Sequence, residues 1–442
     1  MKIGNIFKKK KEKMQVDVDK INSLKENYEK ENSYMLAIPK DEEEIKNIDV
    51  IKERIANSKY FTLKNMYLSE NKIPTNEIEY NGNTYKFMIY PEPYKLPEMF
   101  RVQHIFRDVD IEEIEKNSMG LIVEMEFSDN ILESFHLQLK IINTIFPEVL
   151  GVIDYSAEKI LSGVWVDLAA KCSTPPAPRY IFTAQAVYSS DDDVWLHTHG
   201  LNRCGLMELE VTGSTKETYE NHYHVLESVA SRLIDEPDSF DDGGAIFAAR
   251  LSNNEPLVVT WVPWQDAVNM VKDGKLGGPD DRTDEEGHNG YTGTIVVYQS
   301  PEDMDNGNYS PLSVYDELLK DNPMFMLTNE ETARMKALAL ERVDYMKRAF
   351  NNSNVLGVLV KVGLTVDDEY KNENNSKEHI WFDLKSVDEK TFTAELTQEP
   401  YMVKAMHTGD MATYPYEDIT DWLIFTEEGR ISSDEVYLMD MK

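Results

Sequence analysis

The segment that most restricts the fold of this chain is a strand–helix–strand succession between residues 120 and 155. The run "GLIVEMEFS" at 120–128 half-alternates apolar and polar residues, and "ILESFHLQLKIINTIFP" at 131–147 has helical spacing that ends at Pro147. The run "EVLGVIDY" at 148–155 returns to strand character. The spacing therefore predicts a β-α-β unit.

Further strand-like segments lie on both sides of this unit. Short apolar runs bounded by Pro and by Asn or Gly turns lie at 33–39 and 85–94, and strand-like runs lie at 177–190 and 256–264. The run at 158–171 is compatible with another helix. This succession favours the α+β class, with a mixed or antiparallel sheet and helices packed on one face.

Two helix starts are marked by capping residues. Ser214 and Glu217 form a capping box after Gly213, which predicts a helix over residues 215–235. The run "TNEE" begins a second capped helix, which we interpret as a connector over residues 328–353.

The chain of 442 residues exceeds the size at which one core usually keeps growing, so two or three domains are expected. Its last part contains only short strands separated by Asn, Asp and Gly turns, which predicts a small β-rich barrel or curled sheet. The predicted organisation is a flexible, basic and charged segment at 1–34, an α+β domain at 35–327 with an optional division near residue 115, the connector at 328–353, and the β-rich domain at 354–442.

The charge balance is strongly acidic. Asp and Glu number 80 against 46 Lys and Arg, a formal net charge of −34. Such a field repels nucleic-acid phosphates and anionic lipids, so we expect no nucleic-acid partner. Acidity of this kind is ordinarily a source of solubility, and its alternative role is to steer a basic partner protein.

Cysteine usage and hydropathy indicate the compartment. Two cysteines are too few for a disulfide framework, so we expect a reduced, cytoplasmic protein. No run approaches the ~20 apolar residues of a membrane span. Residues 2–13 hold six Lys against one Glu, so peripheral contact with an anionic membrane is an alternative to a solvated tail.

Motifs that would name an activity are missing from the sequence, so enzymatic activity stays open. It contains no phosphate-binding loop, no dinucleotide-binding glycine pattern, no nucleophile elbow and no H-E-x-x-H helix. The acidic run at 303–310 lacks the third ligand and the glycine of a calcium loop.

The stretch "HTHGLNRCGLMELE" at 197–210 offers metal ligands. On a strand, His197 and His199 point to the same face, and Cys204 follows after a turn as a third ligand suited to Zn²⁺. Alternatively, these side chains are packed groups in a turn shaped by two glycines, and then no cofactor is bound.

Two further pairs of residues, His222 with His224 and Glu208 with Glu210, are less suited to metal binding or catalysis. On the predicted helix, His222 and His224 face apart, so a four-histidine site is not expected. Glu208 and Glu210 lie on one face of a half-buried strand, which predicts an exposed acidic row accessible to a partner.

Two parts of the sequence resemble uncharacterised bacterial families. The runs "VWLHTHGLNRCGLMELEV" and "FHLQLKIINTIFPEVLGVIDYSA" are similar to domain of unknown function 4026. The runs "EHIWFDLKSV" and "TGDMATYPYEDITDWLIF", with Trp381, Gly409-Asp410 and Asp421-Trp422, resemble domain of unknown function 2314. Neither resemblance implies an activity or a catalytic residue, and both tryptophans are expected in the core.

Two functional hypotheses follow. The first is a non-catalytic cytoplasmic protein-interaction protein, including the immunity type, that neutralises a basic partner through an acidic surface. The second is a metal-dependent enzyme, a hydrolase, centred on His197, His199 and Cys204.

Overall fold

The computed structural model describes residues 15–26, 28–69, 72–103, 106–189, 192–271, 275–282, 290–321, 323–371 and 376–440. The chain divides into two compact units. Unit 1 contains residues 1–32 and 181–327, and unit 2 contains residues 33–180 and 328–442.

The beginning of unit 1 is more ordered than the sequence predicts. Helix α1 (Val18–Glu26) is anchored by Lys20, which bonds Asp266, and by Lys25, whose Nζ lies 2.6 Å from the Asp241 carboxylate. The helix at residues 18–26 and its contacts therefore differ from the predicted flexible segment. Residues 1–14, with the lysine run, lie outside the described residues.

The first part of unit 2, in its described residues, is built on a seven-stranded antiparallel sheet. Its strands are β1 (Ser33–Pro39), β2 (Thr62–Leu68), β3 (Pro74–Tyr80), β4 (Asn83–Pro93), β5 (Met119–Met125), β6 (Val149–Asp154) and β7 (Lys159–Ser162). They lie in the order β2-β3-β4-β5-β1-β6-β7. The helices are α2 (Ile48–Ala56), α3 (Phe100–Gln103), α4 (Ile111–Ile114), α5 (Ile131–Ile145) and α6 (Gly163–Lys171).

The predicted β-α-β unit is present, with one strand inserted in it. Both β5 and β6 pair antiparallel with β1, so they run parallel to each other on either side of it. Helix α5 begins at an Asn130 cap that accepts the Glu133 N–H. The run at 158–171, expected as a helix, is divided between β7 and α6.

Unit 1 is also built on a sheet. Its strands are β8 (Thr183–Tyr188), β9 (Val194–His199), β10 (Glu208–Ser214), β11 (Ile246–Arg250), β12 (Pro256–Pro263), β13 (Thr292–Tyr298), β14 (Ser310–Pro311) and β15 (Met324–Phe325). Over the described residues the order is β15-β11-β12-β13-β10-β9-β8, with β14 beside β13, and only β10 and β13 pair in parallel. The helices are α7 (Tyr219–Asp235), α8 (Trp264–Ala267), α9 (Pro301–Asp305) and α10 (Asp316–Leu319).

The start of α7 corrects the predicted capping box. Ser214 is the last residue of β10, and the helix begins at Tyr219 after Thr218, whose side chain makes no capping bond. The buried Ser214 hydroxyl is 2.8 Å from Nδ1 of His222, so a tertiary contact takes the place of the local cap.

The rest of unit 2 is a second antiparallel sheet with two helices. The helices are α11 (Asn329–Glu341) and α12 (Val343–Phe350), and the strands are β16 (Val355–Thr365), β17 (Lys377–Val387), β18 (Thr391–Leu396), β19 (Met411–Pro415), β20 (Ile419–Thr426) and β21 (Gly429–Ser432). In the described part the order is β19-β18-β17-β16-β20-β21. Ala339, Met346 and Trp422 lie in one core.

The helices at 329–350 pack on a sheet rather than only connecting two domains. Thr328 caps α11 as predicted, by accepting the Glu331 N–H. The buried Arg334 bonds Glu331 and Asp434 and also donates to the Pro175 carbonyl, at 3.3 Å. These contacts hold α11 to both sequence segments of unit 2.

Two buried amides in unit 2, Gln138 on α5 and Asn76 on β3, differ in their hydrogen bonding. Gln138 accepts a hydrogen bond from the Ser33 hydroxyl at 2.7 Å and donates to the carbonyls of Ser33 and Val123. Asn76 is equally buried, yet neither its amide oxygen nor its nitrogen has a hydrogen-bond partner among the described residues. Desolvating a polar group without a partner costs ~1–3 kcal/mol.

We therefore expect Asn76→Leu to raise the free energy of unfolding by about 1–3 kcal/mol, because it replaces an unpaired amide by an apolar side chain of the same branched shape. Gln138→Leu is the matched control and should lower it, because three hydrogen bonds are lost. Urea denaturation followed by circular dichroism measures both. Destabilisation by Asn76→Leu would contradict the prediction.

The buried His136 makes unit 2 sensitive to acid. Burial, and then the nearby Lys140 ammonium, lowers the pKa of His136 to about 3. Between that value and the ordinary ~6.5 the unfolded chain binds the proton and the native one does not, so stability falls as the pH falls below about 6.5. From about pH 7 to about pH 4.5 the wild type should lose ~2–3 kcal/mol more than His136→Gln. Equal losses in denaturant titrations at the two pH values would refute this.

Candidate functional site

The two histidines singled out by the sequence lie side by side on one face of the unit 1 sheet. His197 and His199 belong to β9, as predicted, and their ring centroids are 4.8 Å apart. Both rings point their Nε2 atoms at Oε1 of Gln185 on β8, at 2.6 and 3.1 Å. A carbonyl oxygen accepts two hydrogen bonds, so each ring carries its proton on Nε2 in this arrangement.

Cys204 lies in the turn that follows β9. Its thiol is buried and contacts the Gly200 carbonyl, with 3.8 Å between sulfur and oxygen. Gly200 and Gly205 both have positive φ, as the turn interpretation predicts. In the part of the chain that the structure describes, no three His, Cys, Asp or Glu side chains form a group able to hold a metal ion. A metal bound by His197, His199 and Cys204 stays a prediction.

The exposed acidic row predicted at Glu208 and Glu210 is wrong. The Glu208 carboxylate caps the turn after β9 by accepting the N–H groups of Gly200 and Asn202 at 2.8 and 3.1 Å and the Thr198 hydroxyl at 2.6 Å. Burial raises its pKa, and these donors act in the opposite direction. Glu210 is completely buried. Alternation correctly separates the two glutamates from their apolar neighbours, but chain segments cover both faces of the sheet.

Glu210 is half of a buried ion pair. A guanidinium N–H₂ of Arg282 lies 2.7 Å from each carboxylate oxygen, and the Arg282 side chain is only 3% exposed. The guanidinium lies between the rings of Trp195 and Trp264, 4.9 and 4.7 Å from their centroids. Trp195 Nε1 and the Thr294 hydroxyl also donate to Glu210. The pair holds residues 277–282 against the sheet face.

One histidine of the pair, His197, and the carboxylate of the ion pair, Glu210, belong to a row of polar residues across four strands. Strand pairing places Thr294 beside Glu210, Glu210 beside His197, and His197 beside Gln185. We name these four residues the polar row. Each of its members is buried and contacts the next by hydrogen bonding or by strand pairing. Its hydrogen bonds therefore connect neighbouring strands, and the Arg282 side chain packs against Glu210.

Sequence reasoning missed a second histidine network. His222 is buried, and its ring is 2.8 Å from the Ser214 hydroxyl through Nδ1 and 2.8 Å from Oδ1 of Asp316 through Nε2. These are the residue types of a hydrolytic triad. The Ser214 side chain cannot meet a substrate in this state, because the residue is 1% exposed. The network ties α7 to β10 and α10.

The two tryptophans of the C-terminal region, Trp381 and Trp422, differ in burial. Trp422 is buried, as predicted, and its Nε1 donates to the Ala339 carbonyl at 2.9 Å. Trp381 is partly exposed, outside the core, with the Lys361 ammonium 5.3 Å from its ring centroid. Asp421 accepts the Trp422 N–H, and burial raises the pKa of its carboxyl to about 6.

The acidic charge is concentrated in one segment. Residues 181–327 contain 27 Asp and Glu against 8 Lys and Arg, so a third of the chain carries −19 of the net −34. Of the eight cations, Arg203 and Arg282 are buried. The side chains that this segment exposes are therefore predominantly acidic.

Comparisons with known protein families match three separate regions of the chain. Family models described as "Protein of unknown function (DUF4026)" match residues 33–176 by the N-terminal part and 184–296 by the C-terminal part. The model described as "Uncharacterized protein conserved in bacteria (DUF2314)" matches residues 330–438. No curated protein and no solved structure matches the chain. Among the described residues no helix has the length and apolar character needed to cross a bilayer.

The matches confirm both resemblances seen in the sequence. The two DUF4026 regions together cover more than half of the 442 residues. The chain therefore belongs to the DUF4026 proteins and carries a DUF2314 domain at residues 330–438.

Proposed function

We propose that this protein is a non-catalytic interaction protein of the cytoplasm that binds and neutralises a basic protein, in the manner of an immunity protein. The observation that carries the proposal is the net charge of −19 on residues 181–327. A surface field of this sign and size attracts a basic partner and accelerates its association.

The contacts within the segment support an acidic surface. Lys320 is already bound by Glu217 and Glu317, both at 3.0 Å, and Arg232 by Glu236 at 2.8 Å. Other carboxylates in the segment are exposed, and no ion pair is found for them in the described residues: Glu220, Glu255, Glu302 and Asp305. These four are the natural positions at which to alter the charge.

The polar row supports a binding role more than a catalytic one. Glu210 accepts from an arginine, a tryptophan and a threonine, so its carboxylate is engaged on both oxygens. Glu208 is likewise engaged by the turn that it caps. Two carboxylates used in this way stabilise the sheet that presents the acidic surface.

The proposal is tested by charge neutralisation. Tagged protein, expressed in its native host, is used to capture partners at low salt, and each partner is identified by mass spectrometry. We expect a basic partner whose affinity falls at least about tenfold when Glu220, Glu255, Glu302 and Asp305 are changed together to Gln or Asn. Binding should also weaken steeply with salt.

The matched control removes four exposed charges from residues 328–442, by changing Glu389, Glu417, Glu427 and Glu428 to Gln. This variant should bind like the wild type. Recovery of no partner, capture that ignores ionic strength, or equal weakening by both quadruple variants would overturn the proposal.

The second candidate is a metal-dependent hydrolase centred on His197, His199 and Cys204. One observation favours it: both histidine Nε2 atoms converge on a single point, now held by the Gln185 oxygen. Paired imidazoles on a strand are ligands that Zn²⁺ uses, and a rotation of Gln185 would open their shared position.

Elemental analysis of protein purified without a histidine tag tests this candidate. A zinc site predicts near-stoichiometric zinc in the wild type, lost in His197→Ala and kept in His224→Ala, which alters an exposed histidine on α7. Zinc far below one equivalent and unchanged by His197→Ala would exclude the site.

A further inference from the structure

A groove in unit 2 has a lining unlike the rest of this acidic chain. It lies between α2, α5 and α6 and encloses about 460 Å³. Three cations line it, Arg54, Lys59 and Lys171, and Val50 and Pro147 supply apolar surface. Its volume falls in the range of small-molecule sites, roughly 300–1,000 Å³.

The floor of the groove is an ordered chain of hydrogen bonds. The Tyr60 hydroxyl donates to Asn143 at 2.8 Å, and Asn143 donates to Asp167 at 3.0 Å. Lys171 completes the chain by bonding Asp167 at 2.6 Å. These bonds join the segment after α2 to α5 and α6, so the walls are held in place before any ligand binds.

Two lysines lie beside the Tyr60 ring, and one of them, Lys59, lines the groove. The ammonium groups of Lys59 and Lys140 lie 4.8 and 5.0 Å from the centroid of the Tyr60 ring. Neither forms an ion pair with a carboxylate in the residues that the structure describes, whereas Arg54 is paired with Glu44 at 2.9 Å. Arg54 and Lys171 are paired with carboxylates, so Lys59 is the cation of the groove lining that forms no salt bridge among the described residues.

Lys140 is the more deeply buried of the two lysines. It is 5% exposed, and its ammonium donates to the carbonyls of Ala170 and Cys172, each at 2.7 Å. Burial lowers the pKa of Lys140 to about 8; Cys172 and the Glu341 carboxylate act in the opposite direction, and the nearby Lys59 ammonium adds to the lowering. An anion near the Tyr60 ring would offset this unfavourable charge.

We propose that the groove between α2, α5 and α6 binds a small organic anion, with its carboxylate or phosphate group at Lys59 and its body against Val50 and Pro147. The site is independent of the proposed partner binding, because its residues all belong to the 33–176 region. The buried Lys140 ammonium, beside the same Tyr60 ring, adds to the attraction, and the Glu53 carboxylate in the groove lining opposes it.

Isothermal titration calorimetry with phenyl phosphate and benzoate tests the proposal on the full-length protein, with benzamide as the neutral analogue. We expect saturable binding of both anions and none of benzamide. Lys59→Met should weaken binding at least about tenfold, and Glu53→Gln should strengthen it about threefold, because the two changes alter the groove charge in opposite directions.

Lys86→Met is the matched control, because Lys86 is exposed on β4 and does not line the groove. It should bind both anions like the wild type. Lys59 and Glu53 are exposed, so both variants are expected to fold. The proposal is overturned if neither anion saturates, if benzamide binds as well as benzoate, or if Lys59→Met and Lys86→Met have equal effects.

Discussion

The buried ion pair between Glu210 and Arg282 is the interaction on which the unit 1 sheet depends. Withdrawing two charges from water costs several kcal/mol each, and their attraction offsets this only when the remaining hydrogen-bonding positions are filled. Thr294 and Trp195 fill them, and Trp195 and Trp264 enclose the guanidinium. Replacing either Glu210 or Arg282 alone would leave the other charge buried without its partner, which would strongly destabilise the sheet.

Local elements of the fold could be predicted because their causes are local. The strand–helix–strand succession at 120–155 follows from periodicity, and the start of α11 follows from the Thr328 cap. The position of β1 between β5 and β6 could not be predicted, since antiparallel pairing over about eighty residues leaves no local pattern. The false cap at Ser214 has a different origin, because β10 continues to this serine and its hydroxyl bonds His222, eight residues along the chain.

At the candidate site, too, the sequence predicted local features but not contacts between residues far apart in the chain. Strand alternation placed His197 and His199 on one face, and this is confirmed. Alternation cannot say which face water reaches, and for Glu210 the covering residue is Arg282, seventy-two positions away. The sequence does contain a signal for the buried network: Gln185 and Glu210 lie between two apolar residues, and His197 and Thr294 each adjoin one, in four strands. A polar position in such a strand requires a partner, so several together indicate a buried network.

The net charge of the whole chain and the charge around one groove predict different kinds of ligand. At physiological ionic strength the field of exposed charges decays over ~8 Å, so the −34 total does not decide what a small groove attracts. Residues 33–180 hold 24 acidic against 16 basic side chains, yet Lys59 and Lys140 both lie beside the Tyr60 ring, and neither forms a salt bridge among the described residues. Residues 181–327 are more acidic, with a net charge of −19 and two of their eight cations buried. The proposed basic partner and the proposed small anion therefore use different units, and neither proposed site contains a charge that the other uses.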